Sequence, residues 1–242
     1  MPEQQTTAAA KDYSNLYTPA AIVIAGALIG IGLYLALSSQ APAGGQGPTD
    51  VDIADVKLDG SPFIGKEDAP VVLAYWFDYQ CPYCKAVDVG GIPQIPIEPA
   101  MPLLIQQYVD TGKLRIVFKN YAFLGPDSDT AALYLRAIWK LYPDKFYAWH
   151  EAMFHAQDEE HAGFGDEASI VKLTRGIAGI DADKVKADVA ANMAAYQAMN
   201  DADKAEGTSL GVSGTPGFIT GTTLIPGAVE FPAFQTAIDE QL

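Results

Sequence analysis

Cys81 and Cys84 are the only cysteines in the 242 residues, and their spacing is suited to reversible disulfide chemistry. The apolar run 71–77 directly before them predicts a buried strand, with a helix starting at the cysteines. Two thiols at this spacing can close a disulfide with little backbone movement. The free N–H groups and partial positive charge of a helix start favour the thiolate of the first cysteine. The pattern therefore predicts Cys81 as the nucleophile and Cys84 as the more buried, resolving thiol.

The residues around the pair fit such a site. Pro82 suits the first helical turn, where its missing N–H is no loss, and Tyr83 is expected to tune the redox potential. Lys85 would either stabilise a thiolate or be a solvated surface residue. Asp78 would either assist proton transfer or simply end the strand.

Three other interpretations of the cysteines are a static disulfide, half of a zinc site and inert core thiols. So small a disulfide loop would remove little entropy from the unfolded chain. A zinc site needs four ligands, and His150, His155 and His161 do not share one helix face. Redox activity is therefore favoured, with no metal and no cofactor expected.

A long apolar stretch near the N-terminus predicts a membrane anchor. Residues 20–37 are all Ala, Ile, Val, Gly, Leu or Tyr, and the extended stretch 18–37 is long enough to cross a bilayer once. We expect a single transmembrane helix within 17–39, a short cytoplasmic tail at 1–16 containing Lys11, and the large C-terminal domain on the extracytoplasmic side. A signal peptide cleaved near 41–43 is the alternative, although the apolar stretch exceeds a usual signal core.

Beyond the anchor, residues 40–60 read as a linker and 61–242 as one domain. A second strand is predicted at 114–118, followed by a helical block from about 127 to 207. Strands return at 217–220 and 223–225, and 231–242 predicts a final helix. The predicted fold class is α/β, with the helical block between two groups of strands.

This order and its motifs resemble the DsbA-like branch of the thioredoxin-fold superfamily. The resemblance covers nearly all of 61–242 and is carried by the segments 77–85, 109–118, 146–150 and 211–216. It implies a thioredoxin fold with a helical domain inserted at about 126–207. It also implies a cis bond between Thr215 and Pro216, with the backbone of Thr215 facing the cysteines and pairing with bound substrate.

The segment 89–102 departs from that family pattern, because it contains paired glycines and four prolines. Proline removes helix donors and clashes with the preceding turn, so the active-site helix is expected to end near Asp88 and restart near Met101. The insertion is either a specificity element beside the cysteines or a tolerated surface loop.

The balance of 30 acidic against 15 basic residues excludes nucleic acid and anionic lipid as favoured partners of the C-terminal domain. The expected function is a membrane-anchored, extracytoplasmic thiol-disulfide oxidoreductase that donates the Cys81–Cys84 disulfide to exported cysteine-containing proteins. A membrane redox partner would then reoxidise it. The alternatives are a reductase or isomerase using the same site, and a non-catalytic thioredoxin-like subunit of a membrane complex.

Overall fold

The computed structural model describes residues 51–158 and 162–242. The predicted tail 1–16 and membrane segment 17–39 lie outside these residues. Within the described ranges, no helix combines the length and the apolar character needed to cross a membrane.

A five-stranded mixed sheet forms the centre of the domain. Its strands, in the order β1-β3-β2-β4-β5, are β1 (Phe63–Ile64), β2 (Val71–Phe77), β3 (Leu114–Asn120), β4 (Gly217–Thr220) and β5 (Thr223–Pro226). The two long central strands, β2 and β3, are parallel, and the other neighbours are antiparallel. Six of the seven residues of β2 are buried, as expected for a continuous apolar strand covered on both faces.

Seven α-helices surround the sheet in the described residues. They are α1 (Pro82–Asp88), α2 (Ala100–Leu104), α3 (Pro126–Leu141), α4 (Phe146–Ala156), α5 (Glu167–Arg175), α6 (Ala182–Ser209) and α7 (Phe231–Asp239). Helix α2 continues as a π-helical turn, Ile105–Val109, into the connection to β3. Helices α3 to α6 form the helical insertion between β3 and β4, which confirms the predicted thioredoxin fold with an inserted helical block.

Local sequence explains where several of these helices start. Pro126 occupies the first turn of α3 with two acidic residues, Asp127 and Asp129, near the positive end of the helix. The side chain of Asp181 caps α6 by accepting hydrogen bonds from the N–H groups of Asp183 and Lys184. Helix α1 ends at Asp88, directly before the Gly- and Pro-rich segment, and α2 begins at Ala100, as the breakers predict.

The folded part of the chain begins earlier than the predicted linker 40–60 implies. Val51 and Val56 are buried with Trp76 and Ile219 on one face of the sheet, and the N–H of Ile53 donates to the carbonyl of Gly221. Residues 51–60 therefore belong to the domain, because their few apolar side chains cover a face of the sheet. The sequence prediction also missed β1, whose two residues are too few to show an alternating pattern.

Candidate active site

The cysteines lie where β2 passes into α1, at the end of the sheet. Cys81 is the N-cap residue of α1, and its carbonyl accepts hydrogen bonds from the N–H groups of Cys84 and Lys85. Both cysteines are buried. The parallel arrangement of β2 and β3 brings the loop after β3 to the same end of the sheet.

The Cys81 thiol faces the loop before β4. Its Sγ donates to the carbonyl oxygen of Thr215 at 3.4 Å, and the Thr215–Pro216 peptide bond is cis. The structure therefore brings together the two chain segments, 134 residues apart, that the resemblance implied should meet.

The two thiols have opposite acidities. A hydrogen bond from Cys84 is the main cause that lowers the pKa of Cys81 to about 7. The side chain of Thr215 and the N–H groups of Tyr83 and Cys84 lower it further, against the opposing effect of burial. Complete burial is the main cause that raises the pKa of Cys84 well above its ordinary value. Cys81 is thus the thiol that ionises more readily, and Cys84 is the one that holds its proton.

Asp78 fastens the loop after β3 to the entrance of α1. One carboxylate oxygen accepts from the N–H of Gln80 at 2.8 Å, and the other accepts from Phe123 at 2.9 Å and Leu124 at 3.2 Å. Burial nevertheless raises the pKa of Asp78 from its ordinary value. Three backbone N–H groups satisfy this buried carboxylate, and they come from two loops beside Cys81. Asp78 therefore holds these loops together.

Gln157, just after α4, connects the helical insertion to the cysteine loop. Its side-chain amide donates to the backbone carbonyls of Tyr79 at 2.7 Å and Cys81 at 3.1 Å, while the backbone carbonyl of Gln157 accepts from the Nζ of Lys85 at 2.6 Å. Lys85 therefore bonds to the helical insertion and is not simply a solvated surface lysine. The sequence analysis missed Gln157, because nothing in a local pattern identifies a residue that acts 76 positions away from Cys81.

A groove of about 670 Å³ opens beside the nucleophile. Pro82, the half-exposed Tyr83 and Lys85 form one wall, and residues 92–95 of the Gly- and Pro-rich segment form another. The segment thus lies next to the cysteines, as expected for either of its two predicted roles.

The two histidines that the structure describes do not gather around the cysteines as zinc ligands would. His150 is buried and bonds to Asp88 and Tyr79, whereas His155 is exposed at the end of α4. The third histidine, at position 161, lies outside the described residues.

These features define a class of protein: a thioredoxin-like fold that presents a reactive dithiol at a helix start, opposite a loop carrying a cis-proline. The chain matches the family model described as "Thioredoxin" over residues 57–240, and it belongs to that family.

Individual relatives agree with this class. The chain is 28% identical over 181 residues to the "probable disulfide bond formation protein D" of Bacillus anthracis, covering 74% of this chain and 77% of that one. The structure is similar to oxidised BdbD of Bacillus subtilis (TM-score 0.66, 24% identity, 76% and 94% coverage), a likeness that shows the fold. It is also similar to the thiol-disulfide exchange protein α-DsbA2 of Wolbachia pipientis (TM-score 0.62, 27% identity, 75% and 87% coverage).

The dithiol geometry and these relatives agree on the chemistry. The protein is a thiol-disulfide oxidoreductase of the DsbA-like type.

Proposed function

We propose that the protein is an oxidase, which donates the Cys81–Cys84 disulfide to exported cysteine-containing proteins. The observation that carries this direction is the match to a protein named for disulfide bond formation, which extends across 74% of this chain and 77% of that one. Substrate thiolate would attack Cys81, the more accessible and more acidic thiol of the pair, and Cys84 would leave. The backbone of Thr215, in contact with Cys81, would pair with the substrate chain.

The acidity of Cys81 favours a second candidate, a reductase or isomerase. A pKa of about 7 leaves roughly half of the thiol ionised at neutral pH, which suffices for a nucleophile but stabilises the dithiol only slightly. Thioredoxin, a reductant, has a nucleophile of similar pKa, whereas DsbA has a far more acidic one. The direction of transfer therefore depends on how the rest of the site stabilises the two redox states.

The reduction potential decides between the two candidates. The full chain would be equilibrated in glutathione buffers, and its dithiol fraction measured by alkylation. A donor should have a potential near that of DsbA, about −120 mV, and a reductase one near that of thioredoxin, about −270 mV. A potential at the thioredoxin end would overturn the oxidase proposal.

We further propose that the segment 17–39 anchors the protein, with the C-terminal domain on the extracytoplasmic side, and that a membrane redox partner reoxidises the cysteines. The apolar length of the segment and Lys11 before it support this arrangement. Carbonate extraction of membranes should leave the full chain in the pellet, and protease added to intact spheroplasts should degrade the domain. Release of the protein by carbonate would refute anchoring.

A further inference from the structure

Two grooves lie beside the nucleophile, and different parts of the chain form them. The groove at the cis-proline is lined by residues 211–217, 224 and 226–227 and has a volume of about 140 Å³. The groove of about 670 Å³, here called the α1 groove, is lined by residues beside Cys81, by residues 92–95 and by the junction after α4. The two share no lining residue. Of the two, the α1 groove alone falls in the range of about 300–1,000 Å³ that is typical of ligand sites.

Three large apolar side chains line the α1 groove. Tyr83 is 52% exposed, and Ile92 and Ile95 are partly exposed. Single exposed apolar side chains are ordinary on protein surfaces, but three that share one concave surface beside a reactive thiol form a patch. Covering this patch with another apolar surface would be favourable, because water would be released from both.

The Gly- and Pro-rich segment holds Ile92 and Ile95 in place. Val89 and Ile97, on either side of them in the chain, pack against the core of the domain. The N–H of Ile95 donates to the carbonyl of Ile92 at 2.9 Å, which closes a turn between these anchors. The prolines of the segment restrict its backbone further, so little conformational entropy would be lost when the groove is filled. A fixed apolar wall of this kind favours a specificity element over a tolerated surface loop.

Two glutamines that line the α1 groove have an unused hydrogen-bond acceptor. The side-chain amide of Gln80 donates to the carbonyl of Phe164 at 3.0 Å, and that of Gln157 donates to the carbonyls of Tyr79 and Cys81. Among the described residues neither side-chain oxygen has a partner, although Gln80 is 1% and Gln157 4% exposed. An unpaired buried acceptor is costly, and the backbone N–H groups of a peptide are donors that would satisfy it.

The charges around the α1 groove disfavour an acidic occupant. Its charged lining residues, within the described part of the chain, are Lys85 and Asp158, one cation and one anion. The Nζ of Lys85 is already bound to the backbone carbonyl of Gln157 at 2.6 Å. The chain as a whole carries a net charge of −15. An acidic segment would therefore be repelled at long range without a compensating charge in the groove.

We propose that the α1 groove binds the apolar, non-acidic stretch of a polypeptide substrate that adjoins its reactive cysteine, and that Ile92 and Ile95 select for apolar side chains there. Binding of this stretch holds the substrate sulfur beside Cys81 and so increases the rate of exchange. The inference rests on the proposed action on cysteine-containing polypeptides and is independent of the direction of transfer.

The test measures how fast Cys81 of the reduced full chain attacks peptides that differ beside their cysteine. Each peptide carries a 4-thiopyridyl disulfide, so attack on the peptide sulfur releases thiopyridone and leaves the peptide bound to Cys81. The first peptide has leucines on both sides of its cysteine and lysines further out. The second has serines in place of the leucines, and the third has glutamates in place of the lysines. Each rate constant is divided by that for 4,4′-dithiodipyridine, so changes in the reactivity of Cys81 itself cancel.

The variants change the apolar wall of the groove. Ile92→Ser and Ile95→Ser are combined in one chain, and Ile92→Leu and Ile95→Leu are combined in another, which keeps the wall apolar. Both positions are partly exposed, so the serines should not disturb the core. Met193→Ser is the matched control, because it removes an apolar side chain that is 54% exposed on α6, outside the groove.

We expect the native chain to react about tenfold faster with the leucine peptide than with the serine peptide, the effect of covering one apolar side chain. The double serine variant should lose most of this preference, whereas the double leucine variant and Met193→Ser should keep it. The glutamate peptide should react more slowly than its lysine counterpart, and about 0.5 M salt should remove that difference because it screens charge.

Equal rates for the leucine and serine peptides with the native chain would overturn the proposal without any variant. A preference that survives in the double serine variant would also overturn it, because the selectivity would then arise elsewhere. In both cases the peptides still react, so the proposed action on polypeptides would stand. A chain that reacts with 4,4′-dithiodipyridine and with none of the peptides would instead overturn the proposed function together with this inference.

Discussion

Two buried polar networks lie on opposite faces of the same sheet, and they differ in how their charges are balanced. Tyr75 and Trp76 are consecutive residues of β2, so their side chains point to opposite faces of the sheet. Each of them contacts the network on its own face. On the Trp76 face, Asp203 of α6 pairs with Lys119 at 2.8 Å and with Arg136. Lys119 also pairs with Glu206 at 2.9 Å. Two cations therefore meet two anions.

The network on the Tyr75 face has no such balance. It holds one carboxylate, one imidazole and two hydroxyls, and its carboxylate, Asp88, lies one helical turn after Cys84. The Trp76-face network fixes α6 to the sheet with every charge paired, and Asp203 also accepts from the N–H of Asn120 at 3.0 Å. The balanced network therefore maintains the fold, whereas the other network lies behind the helix that carries the cysteines.

Replacing either cysteine should have the largest effect on activity. Cys81→Ser should reduce thiol-disulfide exchange to background, because no nucleophile remains. Cys84→Ser should keep the first attack and accumulate mixed disulfides, because nothing resolves them. Oxidation of a reduced test protein, with non-reducing gels, measures both outcomes. Unchanged cellular function and complex formation in Cys81→Ser would instead favour the non-catalytic subunit that the sequence left open.

Breaking the balanced network should cost stability and leave the chemistry intact. Asp203→Ala leaves Lys119 and Arg136 buried without that partner, and such a loss typically destabilises a fold by about 3–5 kcal/mol. Urea unfolding measures the change, and the Cys81 alkylation rate of the folded variant should equal the native rate. Asp183→Ala is the control, because its ion pair with Arg175 is largely exposed and should contribute little. An altered alkylation rate in Asp203→Ala would show that the two networks are coupled.

The sequence predicts features that depend on local patterns, and it does not predict contacts between distant residues. The strand 71–77, the helix end at Asp88 and the helical block follow local patterns, and the structure confirms them. Tyr75 and Asp88 were included in those predictions only as parts of a strand and a helix. Their hydrogen bond joins residues 13 apart, and the bond from Asp88 to His150 joins residues 62 apart. Such partners become visible only when tertiary packing aligns three separate elements.

Gln157 connects the helical insertion to the cysteine loop, and its removal should have an intermediate effect. Gln157→Ala would leave the buried carbonyl of Tyr79 without this donor, a loss of about 1–3 kcal/mol. The variant should also remove the hydrogen bond to the carbonyl of Cys81, so the alkylation rate of Cys81 in the folded protein should change. In denatured samples, the variant and the native chain should be alkylated at the same rate. Urea unfolding and iodoacetamide kinetics measure the two effects. Native behaviour in both would mean that Lys85 alone holds this junction.

The smallest expected effect is the pH dependence of Cys81 itself. The pKa of Cys81 is lowered from 9.0 to about 7, so iodoacetamide alkylation of the folded dithiol should reach half its plateau rate near pH 7. The lowered pKa means that the folded state holds the thiolate better than the unfolded chain does. The dithiol form therefore carries this extra stability fully above pH 9 and loses it as the pH falls through about 7.

The comparison form is the disulfide, which has no thiol to ionise and should lack this contribution. Urea unfolding of both forms between about pH 6 and pH 8 isolates it, because the raised pKa of Cys84 affects the stability of the dithiol form only at higher pH. Asp203 lies on the other face of the sheet, so Asp203→Ala should leave the alkylation midpoint unchanged. Cys84→Ala removes the hydrogen bond that is the main cause of the lowered pKa, so its alkylation midpoint should move to higher pH. A native midpoint in Cys84→Ala would show that the helix start, and not the second thiol, sets the acidity of the nucleophile.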